Sequence, residues 1–147
     1  MTQDFSKHSG KQILVVDDEA NMRHMLSALL SDAGYGVDTA EDGAVALEKV
    51  SRLHYDYIFC DIKMPNMDGM AFLKSADEHL RFTNVIMMSA YGTIDTAIEA
   101  MKKGAYDYIS KPFKSDEVLL ALKKAEERES LKNENQELKS RLEQIEQ

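Results

Sequence analysis

From residue 12 onward, short apolar runs and amphipathic helical stretches alternate five times. The first run is Ile13-Leu14-Val15-Val16, followed by Met22, Met25, Leu26, Leu29 and Leu30 at helical spacing, with Gly34 as the stop. A second strand is expected over residues 35–39, and the Glu41-Asp42-Gly43 turn leads into a helix through Val45, Ala46, Leu47 and Val50. The third strand is expected over 57–60 with a helix over about 67–78, and the fourth over 85–88 with a helix from near Thr93 to before Gly104. The fifth is expected over 106–109, and the helix that begins after Lys111-Pro112-Phe113 meets no Pro or Gly before the last residue. Strands that alternate with helices in this way form a parallel sheet, because each crossover must carry the chain back to the same end. The runs also lack strict polar alternation, as strands covered on both faces should. The expected class is therefore α/β, a doubly wound parallel sheet.

The length of 147 residues suits one domain with an appendage. A formal net charge of -8 argues against unaided binding to nucleic acid or an anionic membrane. Cys60 is the single cysteine, so neither a disulfide framework nor a multi-thiolate metal site can form within one chain, and a reducing, cytoplasmic setting is expected. No apolar run approaches membrane-spanning length. Residues 1–10 are polar and are expected to be a loose leader.

In a doubly wound sheet, chemistry collects at the carboxyl ends of the strands. There the sequence places Asp17-Asp18-Glu19 after the first strand, Asp61 after the third, Ser89-Ala90 after the fourth and Ser110-Lys111-Pro112 after the fifth. Carboxylates crowded at one edge repel each other unless a cation is present, and an all-oxygen donor set without His or Cys suits Mg²⁺. A carboxylate beside Mg²⁺ can attack a phosphoryl group, with Lys111 and Ser89 available to the phosphoryl oxygens. Taken singly, each residue has a plainer reading. Asp17 and Asp18 would be helix-cap acids, Ser89 a cap or turn serine, Lys111 a surface lysine and Tyr108 sheet-edge packing. Cys60 reads as a buried strand residue, and His8, His24, His54 and His79 share no metal-ligand spacing. Asn66, Asp68 and Gly69 lack the full spacing of a calcium loop and read as a turn, and Gly10-Lys11 lacks the glycine-rich run of a nucleotide loop.

The four strand-end stations, read as strings, carry a family resemblance. Ile13-Leu14-Val15-Val16-Asp17-Asp18-Glu19, Asp61-Ile62-Lys63-Met64-Pro65-Asn66-Met67-Asp68-Gly69, Met88-Ser89-Ala90 and Ser110-Lys111-Pro112-Phe113 resemble, in identity and order, the receiver domain of bacterial two-component response regulators. The resemblance spans roughly residues 10–125 and implies a flavodoxin-like (βα)5 fold. It implies that Asp61 is the phosphoacceptor and that Asp18, Asp17 (through water), Asp61 and the backbone carbonyl of Lys63 serve Mg²⁺. Ser89 and Lys111 are implied to bind the phosphoryl group, Ser89 and Tyr108 to act as the switch pair, and Pro112 to follow a cis bond that holds Lys111. The implied partner is a histidine kinase, and the chain is an acceptor rather than an enzyme. Lys63 and Tyr91 border the implied pocket, and their bulk is expected to obstruct water and slow autodephosphorylation.

An aspartyl-phosphate hydrolase on a similar sheet would need a second acid two residues after the nucleophile, where Lys63 stands. The intact set of Asp17, Asp18, Asp61, Ser89 and Lys111 argues against a pseudo-receiver that only binds partners. In the last helix, Leu131, Leu138 and Ile145 recur every seven residues, with Asn135 and Leu142 four after the first two. This is an a/d seam with Asn135 at an a position, weakened upstream by Lys124 and Arg128. A solvated single helix is the plainer alternative. The expected organisation is a leader over 1–10, a receiver over 11–125 and a helical arm over 126–147, with a homodimer formed through the face of the fourth helix, fifth strand and fifth helix or through the arm. The arm resembles the linker of nitrogen-regulation-type activators, so the chain is expected to be a piece of a longer protein. In that family an AAA+ ATPase acting on sigma-54 polymerase follows, then a DNA-binding helix-turn-helix. A stand-alone receiver is the alternative.

Overall fold

The computed structural model describes residues 10–90 and 93–146. Tyr91, His8 and most of the expected leader lie outside the described residues. The five strands are β1 (Gln12–Val16), β2 (Gly36–Ala40), β3 (Tyr57–Asp61), β4 (Asn84–Ser89) and β5 (Asp107–Ser110). All pair in parallel in the order β2-β1-β3-β4-β5. The helices are α1 (Ala20–Asp32), α2 (Gly43–Arg52), α3 (Gly69–Ser75), α4 (Ile94–Lys102) and α5 (Ser115–Glu146). Among the described residues, no helix is long and apolar enough to cross a membrane.

The period of two along each strand divides the core between the sheet's two faces. Leu14, Val16, Ile58, Cys60, Val85 and Met87 meet Ala46 and Val50 of α2, Phe72 and Leu73 of α3 and Ala100 of α4. Ile13, Val15, Tyr57, Phe59, Ile86 and Met88 meet Leu26 and Leu30 of α1 and Val118, Ala121, Leu122 and Ala125 of α5. Cys60 is fully buried, and burial pushes its thiol pKa well up, so it is core, as its place in the strand implied. His24, His54 and His79 are exposed.

Capping residues set several helix boundaries. Asp42 accepts the Val45 N–H at 2.9 Å to start α2, and Thr93 accepts the Thr96 N–H at 3.1 Å to start α4. Gly34 and Gly104 end α1 and α4 with φ of 102° and 111°, a conformation that glycine takes without strain. The expected helix over 67–78 is shorter: Asp68 accepts the Ala71 N–H at 2.9 Å, so α3 starts at Gly69, and a 3-10 turn at Asp77–His79 follows it. β2 and β5 also begin one residue later than expected. Tyr35 and Tyr106 instead turn their side chains toward α5, where Tyr35 Oη meets Glu126 Oε2 at 3.1 Å and Arg128 lies 5.1 Å from the Tyr106 ring centre.

Contacts between α5 and the domain continue past the apolar stretch to Glu129. Its carboxylate accepts from Tyr57 Oη at 3.1 Å and Asn84 Nδ2 at 3.1 Å, with Lys11 Nζ at 3.5 Å. These groups lie at the amino edge of the sheet. Burial, reinforced by the glutamates, holds the phenols of Tyr35 and Tyr57 above their ordinary pKa. From residue 130 to residue 145 every side chain is exposed. That free stretch is about 24 Å of helix at 1.5 Å per residue.

Candidate functional site

The order β2-β1-β3 makes β1 and β3 the point where successive crossovers leave in opposite directions, opening a crevice at their carboxyl ends. β1 delivers Asp17 and Asp18 to it, and β3 delivers Asp61 as its last residue. One carboxylate oxygen from each of the three lies within 4.8 Å of the others. β4 ends on Ser89, which is buried, and Lys111 follows β5. Lys111 N–H donates to the Ser89 carbonyl at 2.9 Å, tying the last two stations together. The cleft is about 360 Å³ and is lined by Asp18, Glu19, Asp61, Lys63, Ala90 and Lys111.

Asp17 is fully buried and held on every side. One oxygen accepts the Glu19 N–H at 2.9 Å, the other accepts Lys111 Nζ at 2.8 Å, and its backbone carbonyl accepts Arg23 Nη1 at 2.8 Å. Lys111 Nζ also stands 3.4 Å from Asp61 Oδ2 and 3.9 Å from Glu19, with its side chain only 10% exposed. Burial disfavours the Lys111 ammonium, but the Asp17 and Asp61 carboxylates outweigh it and raise its pKa. For Asp61 the balance goes against the charge. Burial, then the Asp17 carboxylate and to a lesser extent Asp18, push its pKa up to about 6, with Lys111 pulling the other way. Asp61 is thus a carboxylate short of positive charge. The donor set around it is all oxygen, so these residues fit a hard divalent cation such as Mg²⁺.

Asp17, Asp18 and Asp61 cluster, Lys63 and Lys111 line the same cleft, and Ser89 lies buried at the end of β4 beside Lys111. The Lys111-Pro112 bond is cis. Tyr108 sits in β5 with its ring against the core on the α2, α3 and α4 side. Its hydroxyl is enclosed and has no hydrogen-bond partner among the described residues. Two contacts go beyond the sequence reading: Glu19, placed at this edge without a role, comes within 3.9 Å of Lys111 Nζ, and the loop bearing Lys63 is tied to α2 by Asn66 and Asp42. The acidic run after β1 was a signal for the first. The second joins residues 24 apart, and neither carries a local sign of the other.

A family model for the response regulator receiver domain matches residues 13–123. The regulatory protein AtoC of Escherichia coli (strain K12) is 42% identical over 123 residues, covering 84% of this chain and 27% of that protein. Among solved structures, NtrX from Brucella abortus is similar at a TM-score of 0.79 and 38% identity, over 86% of this chain and 29% of that one. The Vibrio cholerae chemotaxis response regulator CheY4 is similar at a TM-score of 0.73 and 34% identity, over 78% of this chain and 98% of that one. The chain spans about a quarter of the length of the curated relatives it matches.

Proposed function

The chain belongs to the response regulator receiver domain family, and from that premise we propose that Asp61 accepts a phosphoryl group from a histidine kinase in the presence of Mg²⁺ and so switches a dimeric output. One observation carries the reading: Lys111 Nζ bridges Asp17 at 2.8 Å and Asp61 at 3.4 Å inside a cleft that opens on Asp61. A charged donor beside Asp61 supports a site for phosphoryl oxygens.

With a pKa near 6, Asp61 is mostly ionised at neutral pH and can act as the nucleophile. Its oxygen forms the O–P bond as the P–N bond of the kinase's phosphohistidine breaks, and the departing ring nitrogen takes up a proton from solvent. Lys111 pairs with the phosphoryl oxygens, and the Ser89 hydroxyl donates to them. Asp18, Asp61 and the Lys63 carbonyl, with Asp17 through water, would hold Mg²⁺, which would supply positive charge to offset the carboxylates and the incoming phosphoryl group. The chain's only chemistry is its own phosphorylation and dephosphorylation, so it is an acceptor rather than an enzyme acting on others.

Movement of Ser89 toward the phosphoryl group opens space beside the Tyr108 ring, which then re-seats and reshapes the surface of α4, β5 and α5. Ile94, Ile98 and Met101 of α4 and Leu120 of α5 are exposed apolar side chains that suit a second copy. Leu131, Leu138, Leu142 and Ile145 on the arm are also exposed, at the spacing of a two-stranded seam. Phosphorylation therefore biases one dimer over another. In the full-length, cytoplasmic protein the arm leads to a sigma-54-directed ATPase and then a DNA-binding domain, in keeping with relatives of which this chain spans only 27%.

The test is intact mass after incubation with acetyl phosphate and Mg²⁺. One added phosphoryl group in wild type, absent in Asp61→Asn and with chelator, is the expected result. No addition under conditions that label another receiver overturns the acceptor reading and leaves the chain a phosphorylation-independent interaction module.

A further inference from the structure

The loop between β3 and α3 carries the Lys63 carbonyl. At its base, Ile62 N–H donates to the Met88 carbonyl at 3.0 Å, and Gly69 N–H donates to the Ile62 carbonyl at 2.7 Å. Its tip is anchored elsewhere. Asn66 Nδ2 donates to Asp42 Oδ2 at 2.8 Å, and Gly43 N–H donates to the Met67 carbonyl at 2.9 Å. Asp42 caps α2 and Gly43 begins it, after β2, the edge strand opposite β5.

Asp42 does two jobs with its two oxygens. Oδ1 caps α2 through the Val45 N–H, and Oδ2 takes the Asn66 amide. The side chain is buried, the residue being 5% exposed. The Asn66 bond, then the Val45 N–H, outweigh burial and hold its carboxyl below the ordinary range, so the anchor is a full anion. A Ser or Thr would cap the helix equally well but would have no second oxygen to reach Asn66. Asn66 itself has φ of 66°, in the left-handed region that Asn tolerates better than most residues. A Cβ at position 43 would stand 2.5 Å from the Met67 carbonyl oxygen, so only glycine permits this approach.

We propose that Asp42 and Asn66 are positioning residues for Mg²⁺, acting through the Lys63 carbonyl. The inference rests on the metal-dependent acceptor reading above. A side-chain ligand can change rotamer to meet an ion, but a backbone carbonyl goes where its loop goes. Mg²⁺ demands near-ideal octahedral geometry and tolerates little slack. Asn66 lies three residues from Lys63, so the Asp42 anchor sets where that carbonyl points. Outer partners of metal ligands commonly tune affinity in this way.

The experiment is an Mg²⁺ titration of the unphosphorylated protein, followed by amide NMR. Asn66→Gly keeps the left-handed backbone and deletes the amide, whereas Asp42→Ser keeps the helix cap and deletes the acceptor. Each is expected to weaken Mg²⁺ by about tenfold, with the amide signals of residues 63, 64, 66 and 67 broadened and those of α2 unchanged. The double variant is expected to be no weaker than either single, because all three lack the same bond. Asp42→Asn keeps a cap oxygen and an amide that can pair with a flipped Asn66, and is expected to bind close to wild type. Wild-type binding with unaffected single variants, or losses that multiply in the double, overturns the inference alone. A wild type that takes no Mg²⁺ overturns it together with the acceptor reading.

Discussion

Replacing Asp61 with Asn removes the proposed phosphoacceptor, yet it is expected to make the metal-free protein more stable. The folded Asp61 carboxyl has a pKa near 6, raised mainly by burial and then by Asp17, against an ordinary value of about 3.9. A raised pKa means that the folded state binds the proton more tightly than the unfolded chain does. The contribution favours folding below about pH 4 and is lost as pH rises through about 6. The distance between those two pKa values corresponds to about 3 kcal/mol of folding free energy. Above about pH 7 the wild type bears that cost in full, and neutral Asn does not. In low salt with chelator at about pH 7.5, Asp61→Asn should be more stable by about 2–3 kcal/mol, a rise of roughly 5–12 °C in Tm for a domain of this size. Near pH 4 the two proteins should unfold together, and Mg²⁺ at neutral pH should narrow the gap by stabilising the wild type. Urea unfolding followed by circular dichroism at both pH values measures this. Equal stability at neutral pH, or a gap that stays the same at low pH, would refute the electrostatic account of the site.

Lys63→Ala should shorten the lifetime of the phosphorylated protein by about two- to tenfold, because its side chain lines the cleft that an attacking water must cross; phosphoryl loss followed by mass spectrometry reads it. Gly69→Ala should destabilise by about 2–3 kcal/mol, since a Cβ there would sit 2.4 Å from the Asp61 carbonyl oxygen; thermal unfolding checks it, and unchanged Tm counts against the packing described. Glu129→Ala should cost about 1 kcal/mol and speed amide exchange over residues 126–135, because it leaves Tyr57 and Asn84 without their acceptor. Asn135→Leu should strengthen self-association of the arm and loosen its choice of oligomer, which sedimentation equilibrium would show; an unchanged monomer would mean that the helix stands alone.

The architecture was legible because it rests on periodicity. Five runs such as residues 13–16 and 85–88 separated by helical patterns admit few topologies, and Gly34 and Gly104 mark helix ends by their own chemistry. The positions of Asp17, Asp61 and Lys111 followed, since strand ends in such a sheet share one edge. Boundaries set by local competition were less legible. Asp68 could extend a helix or cap it, and the cap placed the start of α3 at Gly69. Least legible were pairings between distant polar residues. Nothing near Asp42 signals Asn66, and nothing in the charged run of α5 distinguishes Glu126 and Glu129, which meet buried phenols, from Glu127, which faces solvent. Such contacts depend on how far one helix slides along a sheet, and composition does not encode that.

The helix that begins four residues after Lys111 is also the one that leaves the domain at the opposite edge of the sheet. Glu129 grips it there, and Val118, Ala121, Leu122 and Ala125 hold the turns before it against the sheet. From Ser115 to that grip is about 21 Å of helix, and from the grip to the far end about 25 Å. The first part is fixed to the core and the second stands clear of it, so α5 is a mast stepped in the domain. A tilt of the packed part would be carried to the tip, because no Pro or Gly interrupts the helix between them. Two such arms zipped along their tips would carry that tilt from one domain to the next, far from Asp61, without any part of the core melting.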